Sequence, residues 1–247
     1  MRLDKLLAEG LGLSRADAKR LLASGAVTVE GTPVRSAAEK ADPEAQRVCA
    51  NGRRVELRGN VFLMMNKPLG VVSATRDAAA RTALDLVPEP LRRKGLFPAG
   101  RLDKYSEGML LLTDDGDFAH RLLSPRSRLP KVYEVWLDAP VADAALAEVF
   151  RAGAYLGGGE SASPAILEPI APDHARVTIF EGIYHEVRRM FDQNGAHVTR
   201  LVRVQIGGLP LDPALAPGQV RELTQEELRL LLTEEGGDAN ACGDERL

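Results

Sequence analysis

Cysteine is scarce in this 247-residue chain: Cys49 and Cys242 lie far apart and neither has a CxxC partner, so a disulfide framework or structural zinc site is not expected. The histidines, His120, His174, His185 and His197, show no ligand-like spacing. No apolar run reaches the length of a membrane span and no charged, apolar, small-residue leader is seen, so the expectation is a cytoplasmic protein with no membrane partner. Gly157-Gly158-Gly159 lacks a following Lys-Ser/Thr or helix pattern and reads as a flexible turn rather than a phosphate-binding loop. With no nucleotide or metal signature left, no cofactor and no metal site are expected. A surplus of positive charge is also missing, since the net charge is -3. It is unevenly spread: residues 1 to 60 hold 11 Lys+Arg against 8 Asp+Glu, and residues 233 to 247 hold 1 against 5. A mildly basic head and an acidic tail leave nucleic-acid binding undecided by charge alone.

The length allows one large domain or a small one followed by a medium one. Residues 1 to about 50 read as the small one. Leu3, Leu6 and Leu7 fall on one helical face that Gly10 and Gly12 would end, and Ser14 can cap a second helix that turns Ala18, Leu21 and Leu22 inward and stops at Gly25. Val27-Thr28-Val29 and Pro33-Val34 flank a tight turn at Glu30-Gly31. Arg2, Lys5, Arg15, Lys19 and Arg20 form either a solvated face or a phosphate-contacting one. The order Arg2-Leu3-Asp4-Lys5, Ser14-Arg15, then Gly25-x-Val27-x-Val29-x-Gly31 resembles the S4 RNA-binding domain, and this resemblance implies that the five basic residues meet RNA. The family often has Asn where Glu30 stands. From Ala41 periodicity fades, and residues 51–60 are expected to be a linker to a domain spanning 61–233, with a disordered acidic tail over 234–247.

The larger region is organised around Gly100-Arg101-Leu102-Asp103, where a carboxylate in a polar loop precedes Met109-Leu110-Leu111-Leu112, a run with the composition of a buried strand. Val61 to Met65 is another strand, stopped by Asn66-Lys67-Pro68-Leu69-Gly70. Residues 75 to 94 read as a loop or a short helix. Asp115 can cap a helix bearing Phe118, Leu122 and Leu123 that ends at Ser124-Pro125, and caps of this kind explain acids before helices better than a metal site does. Lys131 to Leu137 alternates, with Tyr133 on the apolar side. A helix over Val141 to Arg151 and strands at Pro164 to Leu167 and Ala175 to Phe180 follow. Val187, Met190 and Phe191 share a face of a helix closed by Gly195; Val198 to Gly207 is a strand, and Thr224 and Glu227 stand at capping-box spacing.

Four separated motifs in this order, Asn66-Lys67-Pro68-x-Gly70, Gly100-Arg101-Leu102-Asp103, Lys131-x-Tyr133-Glu134 and Glu181-Gly182-x-x-His185-Glu186-Val187-Arg188-Arg189-Met190, resemble the RsuA/RluB/RluE/RluF group of ribosomal RNA pseudouridine synthases. Ser106 stands where that group commonly has Thr, and Met109 where it has Leu. The resemblance implies an α+β fold, an S4-like module plus a synthase domain with a mixed, mainly antiparallel sheet. It also implies roles: Asp103 as the catalytic carboxylate, Tyr133 stacked on the base, Arg188 paired with the aspartate and Leu201 walling the uracil pocket. Arg203 would support the pocket or contact RNA, Arg101 would hold the RNA backbone or fill the vacated stack, and His185 would shape its loop. The strings His120 to Pro125 and Ser163 to Glu168 look more like the small-subunit (16S) branch, so the expected partner is ribosomal RNA in an assembling small subunit. Three alternatives remain: a synthase of this group acting on large-subunit (23S) ribosomal RNA, a non-catalytic S4-type assembly factor, and a glycosidic hydrolase, for which Glu107 is the nearest candidate second carboxylate.

Overall fold

A computed structural model describes residues 1–43, 45–55, 59–124 and 127–232, and the chain divides into two units between Asn60 and Val61. In the first unit α1 (Leu3–Leu11) buries Leu3, Leu6 and Leu7 completely. It continues through Gly10 and stops at Gly12, which adopts φ 67° and returns its N–H to the Ala8 carbonyl. Ser14 caps α2 (Arg15–Ala23) by accepting from the Asp17 N–H. Strands β1 (Val27–Val29) and β2 (Thr32–Pro33) are joined by Glu30 and Gly31, both at positive φ, and the Glu30 carboxylate accepts from the Arg47 N–H, so the acid at the turn tip is folded back on its own chain.

The expected linker needs correction. Strands β3 (Val48–Ala50) and β4 (Arg53–Arg54) pair across Asn51-Gly52 and complete a sheet of order β2-β1-β3-β4, and Val55 is buried in the same core. A two-residue strand of arginines carries no periodicity, which is why it reads as linker. Residues 56–58 and the expected acidic tail lie outside the described residues. Among the basic residues of this unit, Arg2 holds the buried Asp4 at 3.0 and 3.1 Å, Lys5 approaches Glu9 at 3.7 Å, and Arg20 pairs with Asp17. Arg2 therefore serves its own fold first, whereas exposed Arg15 and Lys19 make no ion pair among the described residues.

The second unit begins with β5 (Phe62–Lys67). Residues 75 to 94 resolve into two single 3-10 turns, Ala83–Leu86 and Glu89–Leu91, the first closed by a reciprocal cap between Thr82 and Asp85. There follow β6 (Phe97–Pro98), β7 (Glu107–Thr113) and α3 (Gly116–Leu123), whose N-terminus is capped by Asp115. Next come β8 (Lys131–Leu137), then α4 (Ala144–Ala152), which starts where Asp143 caps it, and the hairpin β9 (Tyr155–Gly157) and β10 (Glu160–Ser161). The chain continues through β11 (Ile166–Ala171), β12 (His174–Ile179), α5 (Glu186–Asp192), β13 (Val198–Ile206), β14 (Leu209–Pro210) and β15 (Val220–Glu222), ending in α6 (Gln225–Leu231), where Thr224 and Glu227 form the capping box.

One mixed sheet of order β11-β12-β8-β13-β7-β5-β15 organises this unit, with β14 on β13 and β6 on β7. Its pairs are antiparallel except β13 with β7. Central strands are covered on both faces: Leu63, Met65, Leu110 and Leu112 pack with α4 and α5, while Met64, Met109 and Leu111 pack with α3 and α6. That accounts for their unbroken apolar runs. The parallel pair is the junction on which the site is built, because it sets the loop before β7 beside the middle of β13. No helix among the described residues is long and apolar enough to cross a membrane.

Candidate active site

The loop carrying Asp103 is pinned from several sides. The Ser73 hydroxyl donates to the Leu102 carbonyl at 2.7 Å and accepts from the Leu102 N–H at 3.1 Å. Gly70 N–H bonds the Lys104 carbonyl at 2.8 Å, and Ser106 N–H bonds the Asp103 carbonyl at 3.1 Å. Beneath it lies Lys67, 0% exposed, with Nζ donating to the carbonyls of Ser106 at 2.7 Å and Pro68 at 3.0 Å. Burial pulls its pKa down to about 8 against the opposing charges of Asp103 and Glu107. The turn motif Asn66 to Gly70 thus hides a cation under the loop that carries the acid.

Six residues expected from sequence, Arg101, Asp103, Tyr133, Arg188, Leu201 and Arg203, all line one cavity of about 490 Å³. Asp103 keeps 35% of its side chain exposed there. Tyr133, on the apolar side of β8, is buried at 7%, and Leu201 on β13 at 4%. Arg101 is exposed at the rim. Arg203 is 3% exposed and spends its donors internally: Nε on the Met109 carbonyl at 2.8 Å, Nη1 on the Arg101 carbonyl at 3.3 Å and the Tyr133 hydroxyl at 3.4 Å. It therefore supports loop and ring together, while its Nη2 is buried without a hydrogen-bond partner among the described residues.

The expected pairing of Arg188 with Asp103 is not the arrangement found. Its guanidinium donates to the Val198 carbonyl at 2.8 Å and the Tyr105 carbonyl at 2.6 Å, tying α5 to the segment just after the aspartate. A guanidinium carries five donors in a fixed fork, and two of them are committed to backbone here. The side chain that approaches the Asp103 carboxylate is His185, whose Nε2 stands 3.6 Å from Oδ1. His185 holds a left-handed backbone, φ 53°, at the N-terminus of α5, and its ring stacks on exposed Tyr184 with centroids 3.8 Å apart.

Sequence reasoning missed Lys67 and Glu186, both buried in or under this site, because charged residues are read as surface unless something pairs them. The one available signal was their placement inside two of the four motifs. Leu123, expected with the helix core, is 47% exposed and lines the cavity instead. Among the described residues no group of three or more His, Cys, Asp or Glu could hold a metal ion. What the cavity offers is the accessible Asp103 carboxylate, an aromatic ring, an apolar wall and a rim arginine, with the Glu181 and Glu186 carboxyls also in its lining: equipment for holding a flat base beside an acid.

Comparison with known proteins gives the same direction. The profile of the RNA pseudouridylate synthase family matches residues 61–193, and that of the S4 domain matches residues 1–46. A Bacillus subtilis (strain 168) protein named "Uncharacterized RNA pseudouridine synthase YtzG" is 46% identical over 236 residues, covering 94% of this chain and 98% of that one. "Ribosomal small subunit pseudouridine synthase A" of Escherichia coli (strain K12) is 45% identical over 229 residues, covering 92% and 98%. The solved structure described as "Crystal structure of pseudouridylate synthase" superposes with a TM-score of 0.65 at 35% identity, covering 94% of this chain and 99% of that one.

Proposed function

The chain belongs to the RNA pseudouridylate synthase family, with an S4 domain ahead of its synthase region, and from that premise we propose that it converts one uridine of small-subunit (16S) ribosomal RNA to pseudouridine through Asp103. The observation that carries the reading is the convergence of Asp103, Tyr133 and Leu201 on one cavity, the acid accessible and the other two buried in its wall.

The chemistry needs no more than this. The bond from the sugar C1′ to N1 breaks, the uracil turns, a bond from C1′ to C5 forms, the C5 hydrogen leaves as a proton, and N1 gains one. Atoms and electrons balance without oxidant or donor. Asp103 serves either as nucleophile, forming a covalent intermediate, or as base and electrostatic partner to an electron-poor sugar. Tyr133 stacks on the base and Leu201 closes the other side. A uridine inside folded RNA reaches this cavity only by leaving its stack, at a cost of about a few kcal/mol. Arg101, exposed on the same loop, takes the RNA backbone or the vacated stack. Arg101→Ala should weaken RNA engagement several-fold, measured by binding and single-turnover assays; unchanged single-turnover activity would remove that role.

The S4 domain supplies the sequence-independent part of affinity through Arg15 and Lys19. Replacing both with alanine should lower RNA affinity and shrink the slope of log affinity against log salt by about one to two units, read by titration at several ionic strengths. An unchanged slope would place the phosphate contacts elsewhere.

Support for the small subunit comes from likeness to the E. coli protein of that name. The same reading places the chain in the cytoplasm, on an assembling subunit. Site-resolved pseudouridine mapping of both ribosomal RNAs, with and without the gene, tests it. Loss of a small-subunit site is expected. A lost large-subunit site would keep the chemistry and overturn the target, and no lost site would favour a binding factor.

A further inference from the structure

The loop at the back of the cavity is bracketed by two glutamates. Glu181, just past the end of β12, accepts from the Ser163 N–H at 2.6 Å and from the Ser163 hydroxyl at 3.0 Å. Glu186, the first residue of α5, is 3% exposed; Oε2 accepts from the Ile183 N–H at 3.0 Å, while Oε1 is buried and has no hydrogen-bond partner among the described residues. The two carboxyl groups lie within reach of one another. With both ionised, like charges would touch in a poorly solvated place and one oxygen would stay unpaired. A single proton on Glu186 removes both penalties, because its O–H then donates to Glu181.

We propose that Glu186 is a positioning residue for the reaction: its carboxyl, bonded at once to Ile183 and to Glu181, clasps the 181–185 loop so that Ile183 and Tyr184 wall the cavity and His185 stands against Asp103. The inference rests on the reaction proposed above. It goes beyond it in giving a named task to a residue that touches no reacting atom. The strained backbone of His185 fits, since a left-handed non-glycine residue persists only where its surroundings hold it. The protonation state fits as well: burial pushes Glu186 up to about 7, and the Glu181 charge adds in the same direction. Opposing it are the Ile183 N–H and Lys131 on β8, whose Nζ donates to the Glu181 carbonyl at 3.1 Å. Arg188 and Arg189 on α5 are committed elsewhere, to the Val198 and Tyr105 carbonyls and to the Leu156 carbonyl and Glu160. Asp103, His185 and, on β13, Arg203 are further titratable or charged groups lining the same cavity.

The sign follows. A carboxyl whose folded pKa is raised is neutral below that value, so the clasp is closed in mild acid and opens as pH rises through about 7. The test is single-turnover pseudouridine formation at saturating RNA, from about pH 5.5 to about pH 9, for wild type, Glu186→Gln and Glu186→Ala, with RNA affinity measured separately. Glutamine keeps both bonds, its oxygen taking Ile183 and its N–H facing Glu181, and it cannot titrate. Wild type should lose rate on the alkaline side. Glu186→Gln should keep the neutral-pH rate within about threefold and lack that descent, while Glu186→Ala should be slower by about tenfold at every pH, with RNA affinity unchanged in all three. A glutamine variant as slow as alanine, a wild-type descent retained in glutamine, or an alanine variant as fast as wild type would each overturn the proposal. Carbon-13 NMR of the Glu186 carboxyl, assigned by its absence in Glu186→Gln, reads the proton of the clasp without activity: it should titrate at about 7. A carboxyl already ionised in mild acid would overturn the clasp even if catalysis stands, and a wild type without catalysis but with this titration would leave the clasp and refute the reaction.

Discussion

Asp103→Asn should bind RNA as wild type does and form pseudouridine at least about 10⁴-fold more slowly, on the scale seen when a reacting group is removed and binding is left intact. The change is nearly isosteric, and among the described residues the Asp103 carboxyl accepts no hydrogen bond; the loop is held instead through its backbone by Ser73, Gly70 and Ser106. The protein should therefore fold and melt as before. What is lost is the one carboxylate of the loop that opens into the cavity, and an amide can neither attack C1′ nor accept a proton. Measured by single-turnover conversion alongside RNA binding, a rate within about tenfold of wild type would remove Asp103 from the chemistry.

Gly108→Ala should be the most destabilising single-methyl change near the site. Gly108 sits on β7 at φ 99°, opposite Arg203 in the parallel pair, and an added Cβ would stand 2.9 Å from the Arg203 nitrogen and closer still to its carbonyl oxygen. Both atoms are backbone in the middle of a sheet, so neither can swing away. Backbone strain and a core clash together should cost about 4 kcal/mol or more, lowering the melting temperature by about 10 °C. Because the same pair sets Arg203 under Arg101 and Tyr133, residual folded protein should also turn over poorly. Gly116→Ala, where the new Cβ meets nothing within 4 Å, is the control and should melt within about 2 °C of wild type. Equal melting of the two variants would mean that the β7–β13 junction yields more readily than a packed sheet should.

That junction also shows what could be read from sequence and what could not. Caps at Ser14, Asp115 and Thr224 were legible because a cap is written within four residues. Strands β5, β7, β8 and β13 were legible from apolar runs and alternation, and Tyr133 was placed on its correct face. The parallel register of Arg203 with Gly108 is not a local property, and neither is the burial of Lys67 or Arg203 that it produces. Arg53–Arg54 was lost to the linker because so short and so charged a strand has no pattern of its own. At the site, the motifs named the residues, but the partners of Arg188 depend on where the Val198 and Tyr105 carbonyls come to lie, which only the folded chain decides.

The reaction itself offers the most direct measurement. Forming the new bond at C5 expels the hydrogen that was there, so small-subunit ribosomal RNA carrying tritium at uracil C5 reports each event by releasing label to water. Wild-type protein should release label up to the amount held at a single uridine and then stop, and Asp103→Asn should release none above background. Release by the asparagine variant at the wild-type rate, or none by wild type on either ribosomal RNA, would contradict the account.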